Sequence, residues 1–228
     1  GKIPVIAGTG SNSTEEAISL TRHAEKAGAD GALVVTPYYN KPTQEGLFAH
    51  YKAINDNCDI PIIIYNIPGR SVVDMDINTM ERLSKLKNII GVKDATNDLS
   101  RPLLTLNRIG KNFCQLSGED ATILPFMSQG GHGCISVTAN IAPNACANLH
   151  NAWQKGDFKK AEVINSYLFA LHQALFIESS PGPVKYAASI MNICSNEIRL
   201  PLVEVSNNTK KIIKSTLKKL KIKSFKKY

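Results

Sequence analysis

Between residues 1 and 140 the chain repeats one theme: a short, nearly continuous apolar run, a turn, then a stretch whose apolar positions recur at helical spacing. The runs occupy 3–8, 32–36, 60–66, 89–95, 113–118 and 133–138, and the helical patterns 13–26, 43–57, 77–85, 100–109 and 121–128. Runs rich in Val, Ile and Leu without polar alternation imply strands covered on both faces, as in a parallel sheet. Their spacing of about 25–30 residues is that of one β/α unit. Ser13-x-x-Glu16 reads as a capping box, Asp76 and Asp120 as N-caps, and Gly28 as a helix stop. After Asn140 the pattern stays helical, with segments at 142–155, 158–177, 184–193 and 207–220 and a break at Pro181-Gly182-Pro183.

Repeated β/α units admit an open doubly wound sheet or a closed (β/α)8 barrel. The polar groups discriminate. Thr36-Pro37-Tyr38-Tyr39, Tyr65-Asn66, Lys93-Asp94 and Ser117-Gly118-Glu119-Asp120 all fall at the C-terminal ends of strands. Reactive groups from several strand ends meeting on one rim are the mark of the barrel. Six units cannot close an eight-stranded barrel, which takes about 250 residues. The expected fold is therefore α/β: a (β/α)8 TIM barrel lacking its first two β/α units over residues 1–155, then a C-terminal helical region over 156–228. Gly1 falls within a strand approach, Lys2-Ile3-Pro4-Val5-Ile6-Ala7, so it is not expected to be the natural start.

Lys93 is the chemically most informative residue. It closes the run Asn88-Ile89-Ile90-Gly91-Val92-Lys93, which otherwise reads as a buried strand. Burial disfavours an ammonium, and a neutral amine there can attack a carbonyl to form a Schiff base. The plainer alternative is a lysine that ends a strand and snorkels into water.

Composition narrows the remaining classes. Cys58, Cys114, Cys134, Cys146 and Cys194 are odd in number and widely spaced, with no Cys-x-x-Cys pair. They argue against a disulfide framework or a zinc site and fit a reducing cytosol, so a cytoplasmic location is expected. No apolar run reaches eighteen residues, and nothing at the start resembles a signal peptide. The formal charge of +8 is concentrated: nine of the 27 basic residues lie in 207–228, where no acidic residue occurs. Lys210, Lys211, Lys214, Lys218 and Lys221 alternate with Ile213, Leu217 and Leu220, which describes a solvated helix face. Neither nucleic acid nor membrane is expected as a partner. His23, His50, His132, His150 and His172 show no metal-ligand spacing, and no metal is expected. Gly8-Thr9-Gly10-Ser11-Asn12-Ser13 lacks the third glycine of a dinucleotide fingerprint, and Ser117 has no nucleophile-elbow context.

Taken together, Ile6-Ala7-Gly8-Thr9-Gly10, Val35-Thr36-Pro37-Tyr38-Tyr39-Asn40-Lys41-Pro42, Tyr65-Asn66-Ile67-Pro68-Gly69-Arg70, Gly91-Val92-Lys93-Asp94-Ala95-Thr96 and Leu116-Ser117-Gly118-Glu119-Asp120 resemble the dihydrodipicolinate synthase family. That family lies within the pyruvate-dependent class I aldolases, which also hold N-acetylneuraminate lyase. The likeness continues through Gly130-Gly131-His132-Gly133 and Ser136-Val137-Thr138-Ala139-Asn140.

The resemblance implies a reaction: condensation of pyruvate with L-aspartate 4-semialdehyde on the route to lysine and diaminopimelate, with no cofactor beyond a lysine–pyruvate imine. It implies that Lys93 forms the Schiff base and that Tyr65 shuttles protons. In the family that tyrosine works with a threonine from a Gly-Thr-Thr-Gly-Glu loop, expected upstream of Gly1, and with a second tyrosine from the neighbouring subunit, matched by Tyr39. Arg70 matches the arginine that holds the semialdehyde carboxylate, for which a guanidinium fork is suited. By itself it reads as a surface-loop arginine. Gly118 and Ile135 match the pyruvate end of the site, and otherwise read as a tight strand end and a core residue. Asn12, Glu16 and Tyr38 match part of a lysine-inhibition site, although the capping box and interface packing explain Glu16 and Tyr38 equally. A homo-oligomer, a dimer of dimers, is implied.

Two rival functions stand beside this one. A related lyase would act on a sialic acid or a keto-deoxy sugar acid; Arg70 favours the synthase, because the sialic-acid lyases generally differ there. A non-catalytic remnant is the other. A barrel edge left open by two absent strands is aggregation-prone, so residues 1–228 alone are expected to be inactive or insoluble, the parent protein being the enzyme.

Overall fold

In the computed structural model, which describes residues 1–222, six strands pair in the order in which they occur along the chain. They are β1 (Ile6–Gly8), β2 (Gly31–Val35), β3 (Ile62–Asn66), β4 (Ile89–Asp94), β5 (Cys114–Ser117) and β6 (Gly133–Cys134), and every neighbouring pair is parallel. Between them run α1 (Thr14–Lys26), α2 (Gln44–Asn57), α3 (Pro68–Ser71), α4 (Ile77–Leu83), α5 (Arg101–Ile109) and α6 (Ile123–Ser128). A 3₁₀ turn at Thr138–Asn140 precedes α7 (Pro143–Gln154), α8 (Phe158–Ala174), α9 (Gly182–Ile190) and α10 (Asn207–Lys219). Six staves of a (β/α)8 barrel followed by helices is the architecture expected from the repeat. The final lysines of the basic tail, from Lys223 to Tyr228, lie outside the described residues.

The chain divides into two compact units: Gly1–Glu119 with Pro125–Ile135, and Asp120–Leu124 with the described residues from Ser136 onward. This division follows contact density, whereas a boundary at residue 155 follows the β/α repeat.

In the first unit the alternation of side chains along each strand sorts the sheet into two faces. Ala32 and Val34 of β2, Ile62 and Ile64 of β3, and Ile89 and Val92 of β4 join Leu47, Tyr51 and Ile54 of α2 and Met80 and Leu83 of α4 in one buried core. Each such aliphatic side chain contributes about 1.5–3 kcal/mol on burial. The one phenol in this core, Tyr51, donates to the Val34 carbonyl at 2.8 Å, so its polar end is satisfied. Leu33, Val35, Ile63, Tyr65 and Lys93 occupy the opposite face.

The strand pairing contains one irregularity with consequences for that face. Ile62 pairs with Ile89, but Ile63 pairs with Gly91, which leaves Ile90 as an extra residue, 42% exposed. The expectation of a continuously buried strand is corrected here. A uniform register would set Tyr65 opposite Val92 and turn Lys93 toward the helices. The bulge advances β4 by one residue, and a one-residue advance exchanges the two faces.

Several local expectations hold. Asp76 caps α4 through Thr79 N–H at 2.7 Å, and Gly28 follows α1 at φ +85°, a left-handed conformation natural to glycine. The capping box is corrected. Ser13 Oγ does accept from Glu16 N–H at 3.4 Å. The Glu16 carboxylate, however, takes the Ser11 hydroxyl, and Ser13 N–H goes to Ser11 Oγ at 3.1 Å.

The second unit is helical. α7 packs on α8, and α10 on α8 and α9, burying Leu149, Leu168, Leu171, Ala187, Ile213 and Leu217. Lys211, Lys214 and Lys218 occupy the exposed side of α10. Asp120 does not cap the helix that follows it. Its buried carboxylate accepts the Ser136 hydroxyl and the N–H groups of Val137 and Thr138 at 2.9 and 3.0 Å. Those N–H groups are thereby lost to a strand ladder, which is why the pairing expected over 133–138 stops at Cys134.

Candidate active site

Strand pairing brings Tyr65 and Lys93 together. They are register partners in β3 and β4, in a row that runs Val35, Tyr65, Lys93, Leu116, Gly133 across five strands. The Lys93 amine lies over the face of the Tyr65 ring, 4.0 Å from its centre. Lys93 is half-buried, as is Tyr65. An amine and a phenol one strand apart on one face can exchange a proton through the group bound between them.

Arg70 arrives from the other direction. After Asn66 the chain turns through α3, which sequence patterns did not anticipate because four residues are too few to show a helical period. Val72 then reverses it at φ +65°. Tyr65, Arg70 and Tyr38, with Leu33, Val35 and Ser71, line one cavity of about 370 Å³, a volume suited to a small ligand. Burial pushes the Tyr65 phenol above its ordinary value near 10, the Arg70 guanidinium draws it down, and the Glu119 carboxylate raises it. The net direction is upward, so the group is a neutral phenol and a proton donor across the physiological range.

Lys93, Gly118 and Ile135 do not line this cavity. Gly118 N–H donates to Asp94 O at 2.7 Å, and a Cβ at Gly118 would stand 2.6 Å from that of Ala95, so only glycine lets β5 end so close to β4. Ile135, directly after β6, donates its N–H to Ser117 O at 3.0 Å. Tyr39 does not line the cavity: it is 88% exposed and held at φ +73°. Strained φ values in non-glycine residues concentrate at functional positions. Asn12 Nδ2 donates to Tyr38 O at 3.2 Å, and Asn40 Nδ2 returns to Asn12 O at 2.9 Å, joining Asn12 to the Tyr38 loop. Glu16 is bound to Ser11.

Two charged residues bonded to Asn66 and Asp94 escaped sequence reasoning. Arg101, the first residue of α5, donates from Nε to Asp94 Oδ2 at 3.0 Å, from Nη1 to Asp74 Oδ2 at 3.2 Å and from Nη2 to Met75 O at 2.7 Å. Asp74 Oδ1 accepts from Asn66 Nδ2 at 2.7 Å. The one available signal was position, since Asn66 and Asp94 each follow a candidate residue directly. Among the described residues, no three His, Cys, Asp or Glu side chains converge to hold a metal ion, and no helix is long and apolar enough to cross a membrane.

Comparisons with known proteins bear on the same elements. The sequence pattern of the dihydrodipicolinate synthetase family matches residues 1–220. The chain is 64% identical over 219 residues to the 4-hydroxy-tetrahydrodipicolinate synthase of Rhodospirillum centenum, a match that spans 96% of this chain and 75% of that protein. Its fold superimposes on dihydrodipicolinate synthase from Aquifex aeolicus with a TM-score of 0.96 at 46% identity, covering 99% of this chain and 78% of that one. The chloride-inhibited dihydrodipicolinate synthase of Acinetobacter baumannii, solved with pyruvate, gives 0.94 at 45% identity, covering 97% and 76%. With its sequence and its six β/α staves both matched over nearly their whole extent, the chain belongs to the dihydrodipicolinate synthetase family.

Proposed function

We propose that this protein condenses pyruvate with L-aspartate 4-semialdehyde to give 4-hydroxy-tetrahydrodipicolinate, through an imine on Lys93. What supports the reading is one juxtaposition: the Lys93 amine lies 4.0 Å from the centre of the Tyr65 ring, and Tyr65 shares its cavity with Arg70. That the Acinetobacter relative was solved in complex with pyruvate supports pyruvate as one substrate.

In this reading the Lys93 amine adds to the keto carbon of pyruvate and water departs, leaving the imine. Loss of a methyl proton gives the enamine. Its carbon attacks the aldehyde carbon of the second substrate, and the aldehyde oxygen takes a proton. The amino group of that substrate then attacks the imine carbon, closing the ring and releasing Lys93. Tyr65, a neutral phenol, hands protons to the departing oxygen and to the new alkoxide. Arg70 receives the carboxylate of the semialdehyde, and Gly118 and Ile135 bound the pyruvate end. Covalent catalysis of this kind requires no separate cofactor. The reading extends to a cytoplasmic homo-oligomer, a dimer of dimers, in which exposed Tyr39 enters a neighbouring copy's site. Asn12, Glu16 and Tyr38 take part in a lysine-sensing site.

Borohydride reduction of the full-length, folded protein with pyruvate tests it. A stable adduct mapped to Lys93, and lost in Lys93→Ala, is expected; a protein that carries no adduct at Lys93 overturns the proposal. Turnover of aspartate semialdehyde against a sialic acid and a keto-deoxy sugar acid separates it from the lyases.

A further inference from the structure

The three groups that matter for this chemistry sit on three separate segments, and one arginine ties all three together from behind the sheet. Tyr65 and Lys93 are the penultimate residues of β3 and β4; the residues after them, Asn66 and Asp94, are register partners of each other and point to the opposite face. Both are buried, Asn66 completely and Asp94 at 9% exposure. Asn66, directly before the segment that carries Arg70, holds that segment's far end: its Nδ2 donates to Asp74 Oδ1 at 2.7 Å, and its Oδ1 accepts from Met75 N–H at 3.1 Å. Asp94 Oδ1 is occupied by the Thr96 N–H and hydroxyl at 2.9 and 2.6 Å. The remaining oxygens, Asp74 Oδ2 and Asp94 Oδ2, both accept from Arg101.

We infer that Arg101 is a positioning residue for the reaction, bridging Asp94 and Asp74 so that the Lys93 amine, the Tyr65 phenol and the Arg70 guanidinium keep one mutual geometry. A planar fork reaching two carboxylates and a carbonyl at once resists rotation, which a single ammonium contact does not. The pair with Asp94 is shielded from solvent, with the two side chains 17% and 10% exposed, so it is not the weak surface type. Arg101 touches neither Lys93 nor Arg70 in these contacts; it acts through the residues beside them. Misplacement of a reacting group by about 1 Å costs on the order of 100-fold in rate.

The inference rests on the proposed lysine imine, and its test separates the two. In the wild-type protein, absence of a borohydride-stable Lys93 adduct sinks the imine itself. Where wild type traps pyruvate, three variants address the bridge. Arg101→Ala is expected to slow trapping at least tenfold and to raise the KM for aspartate semialdehyde at least tenfold, while Arg101→Lys recovers part of both. Asp94→Asn is expected to slow trapping with that KM held. Asp74→Asn is expected to raise that KM with the trapping rate held. The last two keep the test open if Arg101→Ala does not fold. Melting temperatures that fall while trapping rate and KM both stay within twofold of wild type overturn the inference, as does an identical loss in both constants for Asp94→Asn and Asp74→Asn.

Discussion

Gly91 and Cys114 meet backbone to backbone. A Cβ built on Gly91 would overlap the Cys114 carbonyl oxygen and stand 2.7 Å from the Cys114 Cβ, so β4 approaches β5 only because position 91 has no side chain. Gly91 is also the first residue after the Ile90 bulge, where the register that presents Lys93 to Tyr65 is set.

Gly91→Ala must therefore move β4 away from β5. Overpacking of this kind costs about 1–3 kcal/mol, and Lys93, two residues on, moves with the strand. Lower stability in urea and slower pyruvate trapping are expected together. Wild-type values for both would show that the strand absorbs a methyl group without shifting.

Tyr65→Phe removes the hydroxyl and keeps the ring beneath the Lys93 amine. Loss of a proton-transferring group lowers rates by about 10²–10⁴-fold. Stability should change little, because Tyr65 is only half-buried. Steady-state turnover with a matched melting curve checks this, and a variant within tenfold of wild type would remove Tyr65 from the proton path.

Arg70→Ala should act on the second substrate. Losing a charge-assisted contact to a carboxylate costs about 1.5–3 kcal/mol, roughly 10- to 150-fold in affinity. The KM for aspartate semialdehyde should rise by that factor while pyruvate trapping stays near normal. Equal losses for both substrates would argue for a structural role.

His50 gives a pH dependence of stability. It lies buried in α2, with Nδ1 2.9 Å from Thr14 Oγ1 and Nε2 without a hydrogen-bond partner, and burial pushes its pKa down to about 4 from 6.5. Between those values the unfolded chain takes up a proton that the folded one refuses. Its contribution is therefore fully present above pH 6.5 and lost as pH falls toward 4, with a total on the order of 3 kcal/mol. Denaturation midpoints at pH 4.5 and 7.5 should converge in His50→Gln relative to wild type; an unchanged pH dependence would count against a neutral buried imidazole.

Most of the barrel was legible because it depends on local properties. An apolar run such as Ile62-Ile63-Ile64 is a strand wherever both faces are covered, and Ser13 and Asp76 mark helix starts by offering an oxygen to the N–H three residues on. Errors arose where side chains had a choice. Glu16 reads as half of a capping box until Ser11 competes for its carboxylate, and Asp120 reads as a helix cap until residues 136–138 approach it. Both outcomes turn on a partner whose proximity no spacing rule encodes.

The sequence alone determined the alternation of strands and helices, the placing of Tyr65, Lys93 and Gly118 at strand ends, and the family to which the chain belongs. These follow from periodic burial and from motifs read in order. The tertiary structure decided that Lys93 faces Tyr65 rather than the helices, and that Arg101 joins Asp94 to Asp74. Register is set by hydrogen bonds between strands some thirty residues apart, and one extra residue at Ile90 exchanges the faces. Side-chain alternation says only that two faces exist; pairing with a neighbour decides which one carries the amine.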